Sequence, residues 1–139
     1  AIKDRGLVNL ALFPAPQCAY EENDFSKRLI HLQTTAGEQI VCLFMPFSSV
    51  AARCTDIDIE NTPLEPLPLL LYIHGNGEDI MSCYWMLNRG YNTWKVHVAA
   101  VEYPGYGLSS GTASESGCNR AVQATVNFFT NVMNIPPSS

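Results

Sequence analysis

Two apolar segments, each followed at once by a glycine-rich turn, constrain the fold most strongly. Residues 67–74 read LPLLLYIH and lead directly into GNG at 75–77. Residues 95–102 read KVHVAAVE and lead into YPGYG at 103–107. Strands that are apolar on both faces are typical of a sheet that is covered by helices on its two sides. Both segments are therefore predicted to be strands of an α/β sheet, with 67–74 buried between two layers.

The rest of the pattern adds a hairpin and two helices. Residues 29–35 alternate apolar and polar side chains, and 39–47 form a second apolar run after a turn at Ala36-Gly37, which together predict an antiparallel hairpin. Apolar residues at helical spacing predict a helix over 79–94, ending near Gly90, and a second helix that starts at a T-x-x-E capping box at 112–115. The order is an antiparallel hairpin followed by βαβα, which favours the α/β class.

One partial α/β domain over residues 1–139 accounts for the whole chain. Residues 1–28 are interpreted as an N-terminal extension, with a short helix over 2–12 that ends at two prolines. Residues 48–66 are acidic, contain proline and hold few large apolar side chains. We interpret that stretch as an insertion loop, because loops of this length are uncommon in compact domains and are usually functional or disordered.

Composition excludes several classes of function. The formal net charge is −5 and no cluster of Lys and Arg occurs, which argues against nucleic acid as a partner. No apolar run reaches the roughly 20 residues of a transmembrane helix. The five cysteines are odd in number and scattered, so reduced thiols and a cytoplasmic location are expected. No spacing of His and Cys suggests a metal, and no cofactor is predicted.

The HGNG turn is the candidate site. Glycines allow a sharp turn and a close approach to a ligand, and backbone N–H groups beside a helix N-terminus face an anion. We interpret Gly75, Asn76 and Gly77 as an anion-binding loop, with an ordinary strand-to-helix turn as the alternative. His74 is expected to brace the loop by hydrogen bonding, and Glu78 and Asp79 to cap the helix that follows.

A second motif matches a catalytic pattern but lacks the structural context that the pattern needs. Residues 107–111, GLSSG, match the G-x-S-x-G pattern of a nucleophile elbow, which requires a strand end immediately before the motif and a helix directly after the serine. The predicted strand ends near Glu102, five residues before this motif, and the helix starts only near residue 112. Ser109 is therefore interpreted as part of a turn, and His31 and His97 as structural histidines on strands.

Four segments in order resemble the N-terminal half of the α/β-hydrolase superfamily: LFPAP at 12–16, TTAGEQI at 34–40, LYIHGNG at 71–77 and YPGYG at 103–107. They are most similar to the branch of the acyl-protein thioesterases, or depalmitoylases, and related serine hydrolases. The resemblance implies hydrolysis of an acyl ester or thioester. It also implies an oxyanion hole formed by the backbone of Gly75, Asn76 and Gly77, with the Asn76 N–H as the principal donor.

The chain departs from that family pattern in several places. The 48–66 stretch is longer than usual, Glu102 stands where Asp is more common, and the cysteine-rich segment that anchors the thioesterases to membranes is absent. In family order the nucleophile, acid and catalytic His would all follow Ser139, so no catalytic residue of the triad is expected in this chain.

The resemblance also implies a sheet that is incomplete without its C-terminal strands. The strand at 67–74 would then have an unpaired, apolar edge, and the 139 residues alone are not expected to form a stable monomer. The remaining C-terminal half of the domain, or another protein chain, is expected to complete the sheet. Two functions stay open: the oxyanion-hole-bearing part of an active serine hydrolase, or a non-catalytic, hydrolase-derived subunit of a larger assembly.

Overall fold

The fold is an α/β structure with one mixed sheet. The computed structural model describes residues 8–9, 11–25, 27–49 and 63–137. No helix in these ranges is both long and apolar enough to span a bilayer. The elements are a 3-10 helix at Glu22–Phe25, β1 Leu29–Gln33, β2 Gln39–Met45, β3 Leu69–Ile73, α1 Ile80–Trp94, β4 His97–Val101, α2 Glu115–Asn127 and a π-helical turn at Phe128–Val132.

The strands are arranged in the order β1-β2-β4-β3. β1 and β2 form the predicted antiparallel hairpin, in which Leu29 lies opposite Leu43 and Gln33 opposite Gln39. β2 also pairs antiparallel with β4, and β4 pairs parallel with β3. The predicted α/β class, a hairpin followed by βαβα, is therefore confirmed.

The sheet lies between two helical layers, because successive residues of a strand point to opposite faces. One face packs against α1, and the other packs against α2 and the π-helical turn. Every residue of β4 is buried, as expected for a strand with a neighbour on each side. On the α1 side the core includes Val41, Leu43, Met45, Val98, Ala100, Ile80 and Leu87. On the α2 side it includes Ile40, Cys42, Phe44, Ala99, Val101, Ala121 and Phe129.

The prediction that the first helix ends near Gly90 is wrong, because α1 continues to Trp94. Gly90 is buried inside the helix, where the Trp94 ring occupies the space that a Cβ at position 90 would take. The helix ends instead at Lys95, whose backbone is left-handed with φ 55° and whose N–H donates to Tyr91 O. Gly90 therefore leaves room for the Trp94 ring and does not end the helix.

The predicted capping box at 112–115 is also wrong. Ser114 is the N-cap of α2, and its side chain accepts a hydrogen bond from Gly117 N. A serine at this position satisfies one of the free N–H groups of the first turn just as a threonine would. Sequence alone did not distinguish between these two neighbouring hydroxyl residues.

Two of the predicted segments are only partly visible. Of the helix expected over residues 2–12, Val8, Asn9, Ala11 and Leu12 are described and helical, and the rest lies outside the described residues. Residues 50–62 of the expected 48–66 loop also lie outside them. Before β1, Phe25 is 1% exposed and packs in the α1-side core, so the segment that precedes the sheet contributes to the core.

β3 lies at an edge of the sheet. Its neighbour on one side is β4, and no other strand in the described ranges pairs with its outer edge. Leu70 and Ile73 are 37% and 50% exposed. The prediction that 67–74 is buried on both faces is therefore wrong for the described structure, whereas the expected open edge is present. Apolar edge strands of this kind template further pairing.

We expect the 139-residue chain produced alone to self-associate through β3. Replacing Leu70 and Ile73 together by Lys should lower the association, because charged side chains on an edge oppose strand pairing. The measurement is sedimentation velocity over a range of protein concentrations. Trp85→Lys is the matched control, since Trp85 is 68% exposed on α1, away from the edge. An equal effect of both substitutions would contradict the assignment to β3.

Candidate functional site

The HGNG turn and the YPGYG turn lie at the same end of the sheet. β3 ends at Ile73 and β4 ends at Val101, and the two strands are parallel, with these residues opposite each other. The turns at 74–79 and 102–107 therefore meet at the carboxyl ends of the strands. This is the end at which open α/β sheets bind ligands.

The start of α1 fixes one end of the HGNG loop. Asp79 is the N-cap, and its side chain accepts a hydrogen bond from Ser82 N at 2.8 Å. The Ser82 hydroxyl accepts in return from Asp79 N at 2.9 Å, which completes a reciprocal capping box. The prediction that Asp79 caps this helix is confirmed, and the free N–H groups of the loop lie directly before the positive end of a helix dipole.

Three successive carbonyl oxygens of the loop accept hydrogen bonds from the protein interior. Tyr103 Oη donates to His74 O at 2.6 Å, and Tyr106 Oη donates to Asn76 O at 2.8 Å. Between them, Gly75 O accepts from His74 Nδ1 at 3.0 Å. The expectation that His74 braces the loop is confirmed. The two tyrosine contacts were not predicted, although both tyrosines belong to the YPGYG motif.

The amides of the loop differ in how they are used. Gly75 N donates to Glu78 Oε2 at 2.9 Å, so this N–H is engaged. Among the residues that the structure describes, none accepts a hydrogen bond from Asn76 N or Gly77 N, and Gly75, Asn76 and Gly77 are all exposed. The Asn76 side chain is held in turn by a 2.7 Å bond from Nδ2 to Leu12 O. Two backbone donors, at Asn76 and Gly77, therefore face outward.

The Glu102 carboxylate is the hub beneath this loop. Its Oε1 lies 2.6 Å from His74 Nε2, and both side chains are fully buried. Its Oε2 accepts from Tyr20 Oη at 2.6 Å and from Ile80 N at 3.0 Å. The carboxylate therefore ties together three donors from separate parts of the chain.

Two partners favour the protonated form of His74. Both ring nitrogens face oxygen acceptors, Glu102 Oε1 and Gly75 O, and only the protonated ring can donate to both at once. Burial lowers the pKa of His74, but the hydrogen bond to Glu102, the bond to Gly75 O and the Glu102 charge outweigh it and raise the pKa above 6.5. Burial next to the Glu102 charge also raises the pKa of Tyr20, which keeps its hydroxyl a donor.

The remaining candidate residues are structural, as predicted. His97 Nδ1 accepts from Phe47 N at 3.0 Å and Nε2 donates to Glu65 O at 2.9 Å, so both ring nitrogens are bonded to the backbone. His31 pairs with Glu22 at the surface. Ser109 Oγ donates to the backbone oxygen of residue 102 at 3.1 Å and accepts from the β2 backbone, so it ties the turn to the sheet.

What the arrangement can do is bind negative charge. It presents two outward N–H groups at the start of a helix, where a developing oxyanion or a bound anion is stabilised. The described part of the chain brings no serine, histidine and carboxylate together as a triad. In the same ranges no cluster of His, Cys, Asp and Glu could hold a metal ion.

The His74–Glu102 pair makes stability depend on pH. Because the folded pKa of His74 is raised, the pair contributes fully below 6.5 and its contribution is lost as pH rises through the folded pKa. Glu102→Gln should therefore cost about 3–5 kcal/mol in the free energy of unfolding at low pH, and less at high pH. Urea denaturation from about pH 5.5 to about pH 9 measures this gap. A gap that widens with pH would contradict the assignment.

Close packing around the hub predicts a sharp difference between two glycines. Gly37 and Gly107 both have positive φ, 84° and 48°. A Cβ at Gly37 would meet no atom, whereas a Cβ at Gly107 would overlap Tyr20 Oη and Glu102 Oε2. Gly37→Ala should cost about 1–2 kcal/mol from backbone strain, and Gly107→Ala about 3 kcal/mol or more. Equal losses in urea denaturation would contradict the packing argument.

Known proteins resemble this chain in part of its sequence and in its fold. No family model matches the chain. A protein of Acanthamoeba polyphaga mimivirus, named as an alpha/beta hydrolase, is 28% identical over 99 residues, which span 67% of this chain and 37% of that protein. The chain thus covers well under two thirds of this relative's length.

Solved structures agree on the fold. An alpha-beta hydrolase from Vibrio vulnificus matches with a TM-score of 0.68 at 18% identity, over 100% of this chain and 46% of that one. An esterase of Pyrococcus furiosus matches with a TM-score of 0.55 at 12% identity, over 85% of this chain and 41% of that one. The chain therefore has the α/β-hydrolase fold over less than half the length of these proteins.

Proposed function

We propose that this chain is the N-terminal, oxyanion-hole-bearing part of a serine hydrolase that acts on an acyl ester or thioester, in the manner of the acyl-protein thioesterases. The single observation that carries the proposal is the pair of outward N–H groups at Asn76 and Gly77, at the carboxyl end of β3. A neighbour in fold is an esterase, which supports ester chemistry. The nucleophile elbow and the triad are assigned to polypeptide outside these 139 residues.

The chemistry would use the loop at one step. When a serine attacks the acyl carbonyl, the carbonyl oxygen gains negative charge in the tetrahedral intermediate. The Asn76 N–H, with the Gly77 N–H beside it, would stabilise that charge together with the N–H of the residue after the nucleophile, as in other α/β-hydrolases. The α1 N-terminus adds a favourable dipole. The Gly75 N–H is held by Glu78 and is not available to the oxyanion, so the contribution of Gly75 is to the shape of the turn.

A second function is favoured by a different observation. The outer edge of β3 is open and carries exposed Leu70 and Ile73. Such an edge can pair with a strand of another chain, as expected for a non-catalytic subunit of a larger assembly. The two functions differ in one measurable property, covalent labelling of the complete protein by a fluorophosphonate, which reacts with an activated serine. Labelling supports the hydrolase, and its absence favours the subunit.

Removing the Asn76 donor should abolish most of the turnover. Proline carries no backbone N–H, so Asn76→Pro in the complete protein is expected to lower kcat for p-nitrophenyl ester and acyl thioester substrates roughly 100–1000-fold. Asn76→Ala keeps the N–H and loses only the side-chain bond to Leu12 O, so its loss should be far smaller. Steady-state kinetics of both variants, with melting temperatures as the folding check, measure the difference.

Two results would count against the oxyanion assignment. One is a folded Asn76→Pro variant with unchanged kcat. The other is an equal loss in Asn76→Pro and Asn76→Ala, because the amide side chain, rather than the backbone donor, would then be responsible.

A further inference from the structure

We propose that Tyr106, supported by Tyr103, is a positioning residue of the oxyanion loop: its hydroxyl holds the Asn76 carbonyl and thereby aims the Gly77 N–H outward, while the Tyr103 hydroxyl anchors the start of the loop at the His74 carbonyl. The inference rests on the proposed function and deepens it. According to this inference, the HGNG turn supplies the N–H donors, and the YPGYG turn that follows β4 helps to hold them in position.

The first step is the geometry of the peptide unit. In a planar trans peptide the C=O of one residue and the N–H of the next point in opposite directions. Tyr106 Oη holds Asn76 O at 2.8 Å, so the N–H of Gly77 in the same unit is directed away from Tyr106. The two bonds from His74 Nδ1 and Glu78 N to Gly75 O aim the Asn76 N–H in the same way.

The second step is the flexibility of the loop. The Asn76–Gly77 peptide is exposed and flanked by glycines at positions 75 and 77, and glycine allows more backbone conformations than any other residue. A Cβ at Gly77 would meet no atom within 4 Å, so packing around that residue does not restrain it. The direction of the Gly77 N–H therefore depends on the Tyr106 bond to the adjoining carbonyl. An unrestrained donor has to be reoriented when charge develops, and that reorganisation raises the barrier.

The third step is that the two donors are themselves fixed. Tyr103 and Tyr106 are 4% and 0% exposed, and their rings meet edge to face with centroids 5.4 Å apart. The His74 ring packs against both, with centroid distances of 4.3 Å to Tyr103 and 5.5 Å to Tyr106. Burial raises the pKa of both phenols, which keeps them protonated and able to donate. Two fixed phenols of this kind hold the backbone of an exposed, glycine-containing turn.

The chain offers a matched control. Tyr91 is a half-buried tyrosine of α1 whose hydroxyl also donates to a backbone carbonyl, Pro46 O, at 3.0 Å. That carbonyl lies just after β2 and outside the HGNG and YPGYG turns. Tyr106→Phe and Tyr91→Phe therefore remove the same kind of hydrogen bond, and only Tyr106→Phe removes it from the loop.

The test compares the kinetics of these variants in the complete protein. Tyr106→Phe is expected to lower kcat about tenfold, the rate equivalent of one neutral hydrogen bond, with KM within about twofold of the wild type. Tyr91→Phe should leave both constants unchanged while lowering the melting temperature by a similar amount. Equal kcat in the two variants, or a loss in Tyr106→Phe carried by KM alone, would overturn the positioning role.

A measurement that does not need activity separates this inference from the function beneath it. The order parameter of the Gly77 N–H, measured by NMR relaxation on the same proteins, should be lower in Tyr106→Phe than in Tyr91→Phe, because the Asn76–Gly77 peptide then loses the bond that fixes its direction. An unchanged order parameter overturns the inference even if the enzyme is active. Wild-type protein without turnover or fluorophosphonate labelling overturns the proposed function, whereas a lower order parameter in Tyr106→Phe still supports the hold of Tyr106 on the loop.

Discussion

The buried carboxylate of Glu102 is the interaction on which the rest of this end of the molecule depends. It joins three separate parts of the chain: Tyr20 before the sheet, His74 at the end of β3 and Ile80 at the start of α1. A lone buried charge is strongly unfavourable, so its position is tolerated only while its donors stay in place. The His74 ring, the Tyr20 hydroxyl and the Ile80 N–H compensate the Glu102 charge together. Loss of one of these donors therefore leaves that charge only partly compensated.

The loop above this hub combines two opposite requirements. For the proposed role it must be exposed, so that a substrate can reach its N–H groups, and it must be rigid, so that those groups already point at the developing charge. The structure separates the two by using opposite sides of the same peptide units. The carbonyl oxygens of His74, Gly75 and Asn76 face inward and accept bonds from buried side chains, while the N–H groups of Asn76 and Gly77 face outward. Glycine allows the turn, and the hydroxyls of Tyr103 and Tyr106 and the ring of His74 restrain it.

Local pattern was enough to predict the hairpin, both apolar strands, the two helices and the HGNG turn, because apolar periodicity and glycine placement act over a few residues. It could not assign the partners of Glu102, since Tyr20 lies 82 residues away and His74 28 residues away. Gly90 was interpreted as a helix end because glycine often ends helices. Its actual role is to leave room for the Trp94 ring, and that packing contact is not visible in the sequence. Likewise, nothing local to YPGYG shows that its tyrosines bond to another turn.

The open edge of β3 and the candidate site are linked by geometry. β3 runs into the HGNG loop, so its last residue, Ile73, lies directly before the donors at Asn76 and Gly77. A strand added parallel to β3 would lie about 4.8 Å away and end at the same side of the sheet. The residue after that strand would then stand beside the outward N–H groups, where ligands of parallel sheets bind. A polypeptide that paired in parallel with this edge would therefore also be placed to supply a nucleophile, whereas a strand that paired antiparallel would extend the sheet and leave the donors unused.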